Sequence, residues 1–138
     1  MKITMIGGGS YSWMPTLLRG FLSNSFFNRN IELCLMDIAK ENLDDTFNYF
    51  NKVNVLYPDS HIGINKTMDL DKALAGASYV VVSISHGGLD PEMEDHRIAR
   101  RHGFYNLKGS EVGIAGCSRT LRHVPEIVRI ARRMERKC

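Results

Sequence analysis

MIGGGSYSWMP, residues 5–15, decides the fold. Three consecutive glycines end an apolar, strand-like run, and Pro15 stands where a helix begins. The spacing is Gly7-x-Gly9-x-x-Ser12. In such a loop the first glycine makes a tight turn and the second lets backbone approach a pyrophosphate. The helix N-terminus then supplies free N–H groups and a partial positive charge. Ser12 holds the third position, where glycine or alanine is usual.

Working outward, Lys2 to Ile6 is a short buried strand, and Thr16 to Leu22 carries apolar residues at helical spacing, with Ser12 or Ser10 as N-cap and Pro15 in the first turn. Ile31 to Met36 is the second strand and runs into Asp37. A carboxylate there accepts hydrogen bonds from adenosine ribose hydroxyls and repels a 2′-phosphate; Ile38, not an arginine, follows it. NAD is therefore favoured over NADP. Asp37 is also suited to cap the second helix, which is compatible with the cofactor role. Gly7, Gly8, Gly9, Ser10, Tyr11 and Asp37 are the candidate cofactor residues.

The alternation continues. Ala39 to about Leu56 reads as a helix, with Leu43, Phe47, Phe50 and Val53 or Asn54 at spacings of three and four, and Tyr57-Pro58-Asp59 breaks it. His61 to Lys66 alternates as a third strand, and Asp69 to Ala75 is a short helix stopped at Gly76. Tyr79 to Ile84 is β-branched enough to be a strand buried on both faces. Ser85, His86 and Gly87 follow it at the same carboxyl edge of the sheet as the glycine loop, and are candidates to flank the second half of a dinucleotide. Pro91 to His102 is a charged helix, and Asp90, Glu92, Glu94 and Asp95 make a solvated face near its N-terminus. Gly103 to Gly116 is a glycine-punctuated loop. From about Cys117 to Lys137, Leu121, Val124, Ile127 or Val128, Ala131 and Met134 form one apolar stripe on a long helix.

Strands and helices in alternation with short connections imply an α/β fold, a Rossmann-like doubly wound parallel sheet, as a single domain over 1–138. A doubly wound sheet continues from such a helix to a further strand beside the fourth. The expectation is thus an incomplete domain, truncated after the helix that follows strand four, in the N-terminal part of a longer protein.

The 138 residues are 43% hydrophobic and 24% charged, as in a globular protein, with a formal charge of +3. Arginines crowd the last twenty residues without interleaved aromatics, which suits a solvated helix face better than nucleic acid. No signal peptide stands at Met1, and no run approaches the roughly 20 apolar residues of a membrane span. Cys34, Cys117 and Cys138 have no CxxC spacing, which fits a reduced, cytoplasmic protein. His96 and His102 do not share a helix face, so no metal pair is expected there.

The motifs IGGGSYSW (6–13), Met36-Asp37, VVVSISHGGLD (80–90) and GSEVGIAG (109–116), running into SRTLRHVPEIVRIARRME (118–135), together resemble glycoside hydrolase family 4, the NAD- and manganese-dependent glycosidases. The resemblance spans the whole chain and belongs to the wider lactate and malate dehydrogenase-like superfamily. It implies a glycosidase that does not use the usual carboxylate pair. NAD would take hydride from C3 of the sugar, a base would remove the acidified C2 proton, and the glycosidic oxygen would leave by elimination. Water then adds and the hydride returns, while manganese polarises the C2 and C3 oxygens.

The family's metal ligands and catalytic tyrosine are expected beyond residue 138, so this chain alone would be inactive and holds no catalytic or metal residue. Phosphoglucosidase members carry arginines near 85–88 and at the position of Glu92. The residues here favour an α-galacturonidase or α-galactosidase branch. In that branch an acid is expected at Ser110, and Glu111 stands one place along; Glu92 and Glu111 are expected to face the sugar. The implied partners are a small sugar and further copies of the full-length chain. The rival readings are a 2-hydroxy acid dehydrogenase fragment, which would need a substrate-clamping arginine that SHGGLDPEM does not offer, and a non-catalytic nucleotide-binding or interaction module.

Overall fold

The structure, a computed structural model, describes residues 1–24, 26–27, 30–105 and 113–138, which form two compact units. The first comprises residues 1–84 and 134–138. Its elements are β1 (Lys2–Ile6), α1 (Met14–Ser23), β2 (Ile31–Met36), α2 (Lys40–Val55), β3 (Ile62–Thr67), α3 (Leu70–Leu74) and β4 (Tyr79–Val82). All strand pairs are parallel and the order is β3-β2-β1-β4. The order reverses between β1 and β4, and in open α/β sheets the carboxyl ends of strands at such a switch point are where ligands bind.

Register fixes which side chains enter the core. Ile3 and Met5 lie level with Leu33 and Leu35, and these pack with Met14, Leu18 and Leu22 of α1 and Leu43 and Phe50 of α2. The intervening residues face the other layer. There the buried Thr4 hydroxyl donates to the Ala73 carbonyl of α3 at 2.7 Å. Helices thus cover both sheet faces, as the alternating sequence requires. Asp69 caps α3 by accepting from the Asp71 and Lys72 N–H groups, and Gly76 at φ +67° ends it.

Several boundaries differ from the sequence expectation. α1 begins at Met14 with Trp13 at the N-cap, and neither Ser12 nor Ser10 caps it. Ser10 acts one turn earlier, its Oγ accepting from the Trp13 N–H at 3.3 Å and its carbonyl from the Met14 N–H at 3.1 Å. β3 is displaced one residue to Ile62–Thr67. β4 is shorter than Tyr79–Ile84 and is not buried on both faces: Tyr79 is 61% exposed and Val80 to Val82 are half-buried. The physical reason is position, since β4 pairs only with β1 in the described sheet.

The second unit, residues 85–133, contains α4 (Leu89–Arg101) and most of α5 (Gly113–Lys137). α5 begins four residues before Cys117, so part of the anticipated loop is helical. Pro125 lies within it and deprives the Leu121 carbonyl of its helical N–H. The expected apolar stripe is largely exposed, with Leu121 at 78% and Val124 at 48%, whereas Ile130, outside that stripe, is buried. Asp95 is also buried, contrary to a solvated acidic face. Its carboxylate accepts from Ser118 Oγ at 2.7 Å and from both terminal nitrogens of Arg122, at 3.0 and 2.5 Å. Two half-amphipathic helices are thereby joined by a charge-assisted fork.

Candidate functional site

The glycine turn lies wholly in the first unit, and its hydrogen bonds account for it. The Gly7 and Gly8 N–H groups both donate to the Met36 carbonyl at the end of β2, at 2.9 and 2.8 Å. The Ser10 N–H closes the turn on the Gly7 carbonyl at 3.1 Å. The Gly9 N–H donates to Asp37 Oδ2 at 2.8 Å, and the Ala39 N–H donates to Oδ1 at 2.9 Å. Asp37 is therefore not the cap of α2, whose N-cap is Ala39. It is a latch between the glycine turn and the β2–α2 connection. Each carboxylate oxygen keeps a further lone pair for a ribose hydroxyl.

The reason for three glycines is visible in the space around them. A Cβ on Gly7, at φ +88°, would lie 1.9 Å from the Ser83 carbonyl oxygen; one on Gly8 would meet Leu35 Cβ at 2.9 Å, and one on Gly9 would meet Asp37 Oδ2 at 2.9 Å. Protein packing alone thus excludes side chains at all three positions.

With the N–H groups of residues 7 to 10 engaged, the Tyr11 and Ser12 N–H groups have no partner among the described residues. They stand just ahead of α1, where the helix dipole favours an anion. The sequence reading assigned the free donors to the helix N-terminus; hydrogen-bond accounting identifies Tyr11 and Ser12, just ahead of it. The Tyr11 hydroxyl lies 3.1 Å from Asp45 Oδ2 and 3.3 Å from Asn42 Oδ1, both on α2. The bond to Asp45 holds the phenol and raises its pKa. Trp13 and Ile38 are exposed apolar side chains beside the turn and beside Asp37 in sequence.

In the second unit, Ser85, His86 and Gly87 form an exposed turn closed by the Gly88 N–H on the Ser85 carbonyl at 3.1 Å. The His86 N–H donates to Nε2 of His123 at 3.1 Å. Glu92 is half-buried and pairs with Arg119 at 3.6 Å. Ser110 and Glu111 lie outside the described residues. Sequence inspection missed Arg119, Arg122 and His123, because partners on two different helices show no common periodicity. Among the described residues no three His, Cys, Asp or Glu side chains gather where they could hold a metal ion.

Comparison with known proteins decides the ancestry. The sequence profile of the family 4 glycosyl hydrolases matches residues 2–138. The chain belongs to this family. An α-galactosidase of Bacillus subtilis (strain 168) is 33% identical over 138 residues, 99% of this chain and 32% of its own length. An α-galacturonidase of the same organism is 32% identical across 96% of this chain and 28% of its own. The structure superposes with a TM-score of 0.87 and 25% identity on a 6-phospho-β-glucosidase from Thermotoga maritima solved with manganese, NAD+ and glucose-6-phosphate, covering 99% of this chain and 32% of that one. The chain thus spans about a third of the length of these family 4 relatives, and its four-stranded parallel sheet is the Rossmann-like part of their fold.

Proposed function

We propose that this chain is the NAD-binding part of a family 4 glycosidase. The observation that supports it most is the pair of unpartnered N–H groups at Tyr11 and Ser12, ahead of α1 and beside a turn too tight for any side chain. That pair suits a pyrophosphate, and Asp37, already oriented by two backbone donors, suits the adenosine ribose. Gly7, Gly8, Gly9 and Ser10 shape the cradle, Tyr11 braces it against α2, and Ser85, His86 and Gly87 border the cofactor. When bound, NAD supplies reversible hydride transfer and manganese polarises sugar oxygens, on ligands outside this chain.

Within this reading the sugar is a uronide or galactoside before a phosphoglucoside. Where phosphoglucosidases carry an arginine this chain has Glu92, and the carboxylate pairs with Arg119 at 3.6 Å, which does not favour a sugar phosphate. Glu92 and Glu111 then border the sugar. Within the same proposal the enzyme is cytoplasmic and a homo-oligomer when full length. Among the described residues no helix is long and apolar enough to cross a membrane.

Calorimetric titration of the chain with NAD and NADP tests the proposal. NAD should bind more tightly than NADP, and Asp37→Ala should weaken NAD by about tenfold, the loss of roughly one charge-assisted hydrogen bond. Absence of heat with NAD, in a chain shown to be folded by circular dichroism, would refute it.

A further inference from the structure

The turn after β4 is conformationally demanding. Gly87 and Gly88 hold successive φ values of +90° and +75°, a combination open to glycine and strained for other residues. Among the described residues, its side-chain hydrogen bond comes from His123, thirty-seven positions along the chain on α5. Accepting the His86 N–H requires a lone pair on Nε2, hence a neutral imidazole with its proton on Nδ1. A proton on Nε2 would set donor against donor.

The surroundings keep that nitrogen unprotonated. Burial lowers the His123 pKa first, followed by Arg119, the His86 imidazole and Arg122; Glu92 of α4 opposes them. Glu92 is itself drawn to Arg119. Glu126, the other acid in the field of His86, is held by Arg129.

We propose that His123 is the positioning residue of the 85–88 turn: unprotonated it fastens His86, and protonated it lets the turn go. Its consequence for the cofactor rests on the proposed function, so turn and cofactor are read separately. Because the folded-state pKa is depressed, the bond is intact above the ordinary histidine range near pH 6.5 and is lost as pH falls through the lower folded value.

The test is amide hydrogen exchange at His86, corrected for intrinsic rate, from pH 8 to pH 5 in the 138-residue chain. Wild type should lose about tenfold of its protection on acidification, roughly the worth of one hydrogen bond. His123→Gln, whose side-chain oxygen can accept at any pH, should hold its protection flat. His123→Leu should be unprotected even at pH 8 while keeping wild-type circular dichroism. Equal protection in wild type and His123→Leu at pH 8 would overturn the assignment, as would a pH response surviving in His123→Gln. NAD titration across the same range reads the cofactor assignment alone. Affinity tracking protection supports a cofactor-bordering turn. Affinity indifferent to it refutes that role and leaves the exchange result to stand for the turn.

Discussion

Gly7 and Gly20 make opposite demands on a methyl group. At Gly7 the φ is +88° and the Ser83 carbonyl oxygen stands 1.9 Å from where a Cβ would be; at Gly20, inside α1, nothing lies within 4 Å. Gly7→Ala should therefore destabilise the chain by about 3 kcal/mol, and Gly20→Ala should stabilise it by about 0.5–1 kcal/mol, both read from urea midpoints. The sequence reading singled out residues 7 to 9, offering a tight turn for Gly7 and the approach of a pyrophosphate for Gly9. Packing against Ser83, Leu35 and Asp37 is the reason the structure supplies. Asp37 was legible as the acid ending β2. Its bond to the Gly9 N–H was not, because a contact across 28 residues leaves no mark on spacing.

At the scale of elements, α5 separates what periodicity reveals from what it conceals. Its stripe is plain in the sequence, yet Leu121 and Val124 are exposed and Ile130 is buried. Leu121→Gln should shift stability by less than about 0.5 kcal/mol, whereas Ile130→Ala should cost about 2–4 kcal/mol, measured by thermal or denaturant unfolding. The fork from Arg122 to Asp95 gives the helix pair a pH signature. The Arg122 hydrogen bonds, then that of Ser118, hold the Asp95 carboxyl below the ordinary aspartate pKa against the cost of burial. Its stabilisation is full above about pH 4 and is lost as pH falls through the depressed folded value. Asp95→Asn should cost about 1–3 kcal/mol at pH 7 and flatten the acid limb of the stability profile below pH 4. A charged residue set among like neighbours on α4 reads as surface until its partner on α5 is known.

At the scale of the whole molecule, the parallel sheet covered by helices was the most legible property. Alternating elements with short connections call for such a sheet, and the observed order β3-β2-β1-β4, which the sequence reading did not specify, places the first glycine turn at the reversal. Edge and centre were harder to separate. Tyr79-Val80-Val81-Val82 is as β-branched as any central strand, and composition alone does not count a strand's neighbours. The glycine turn carries one more consequence. The bonds of its N–H groups at residues 7 to 10 run to Met36, to Asp37 and to its own Gly7 carbonyl, so its shape is complete without a guest. An arriving anion would not have to organise this backbone. The ordering entropy is settled during folding, and capture there is a matter of encounter and desolvation, with little rearrangement to slow it.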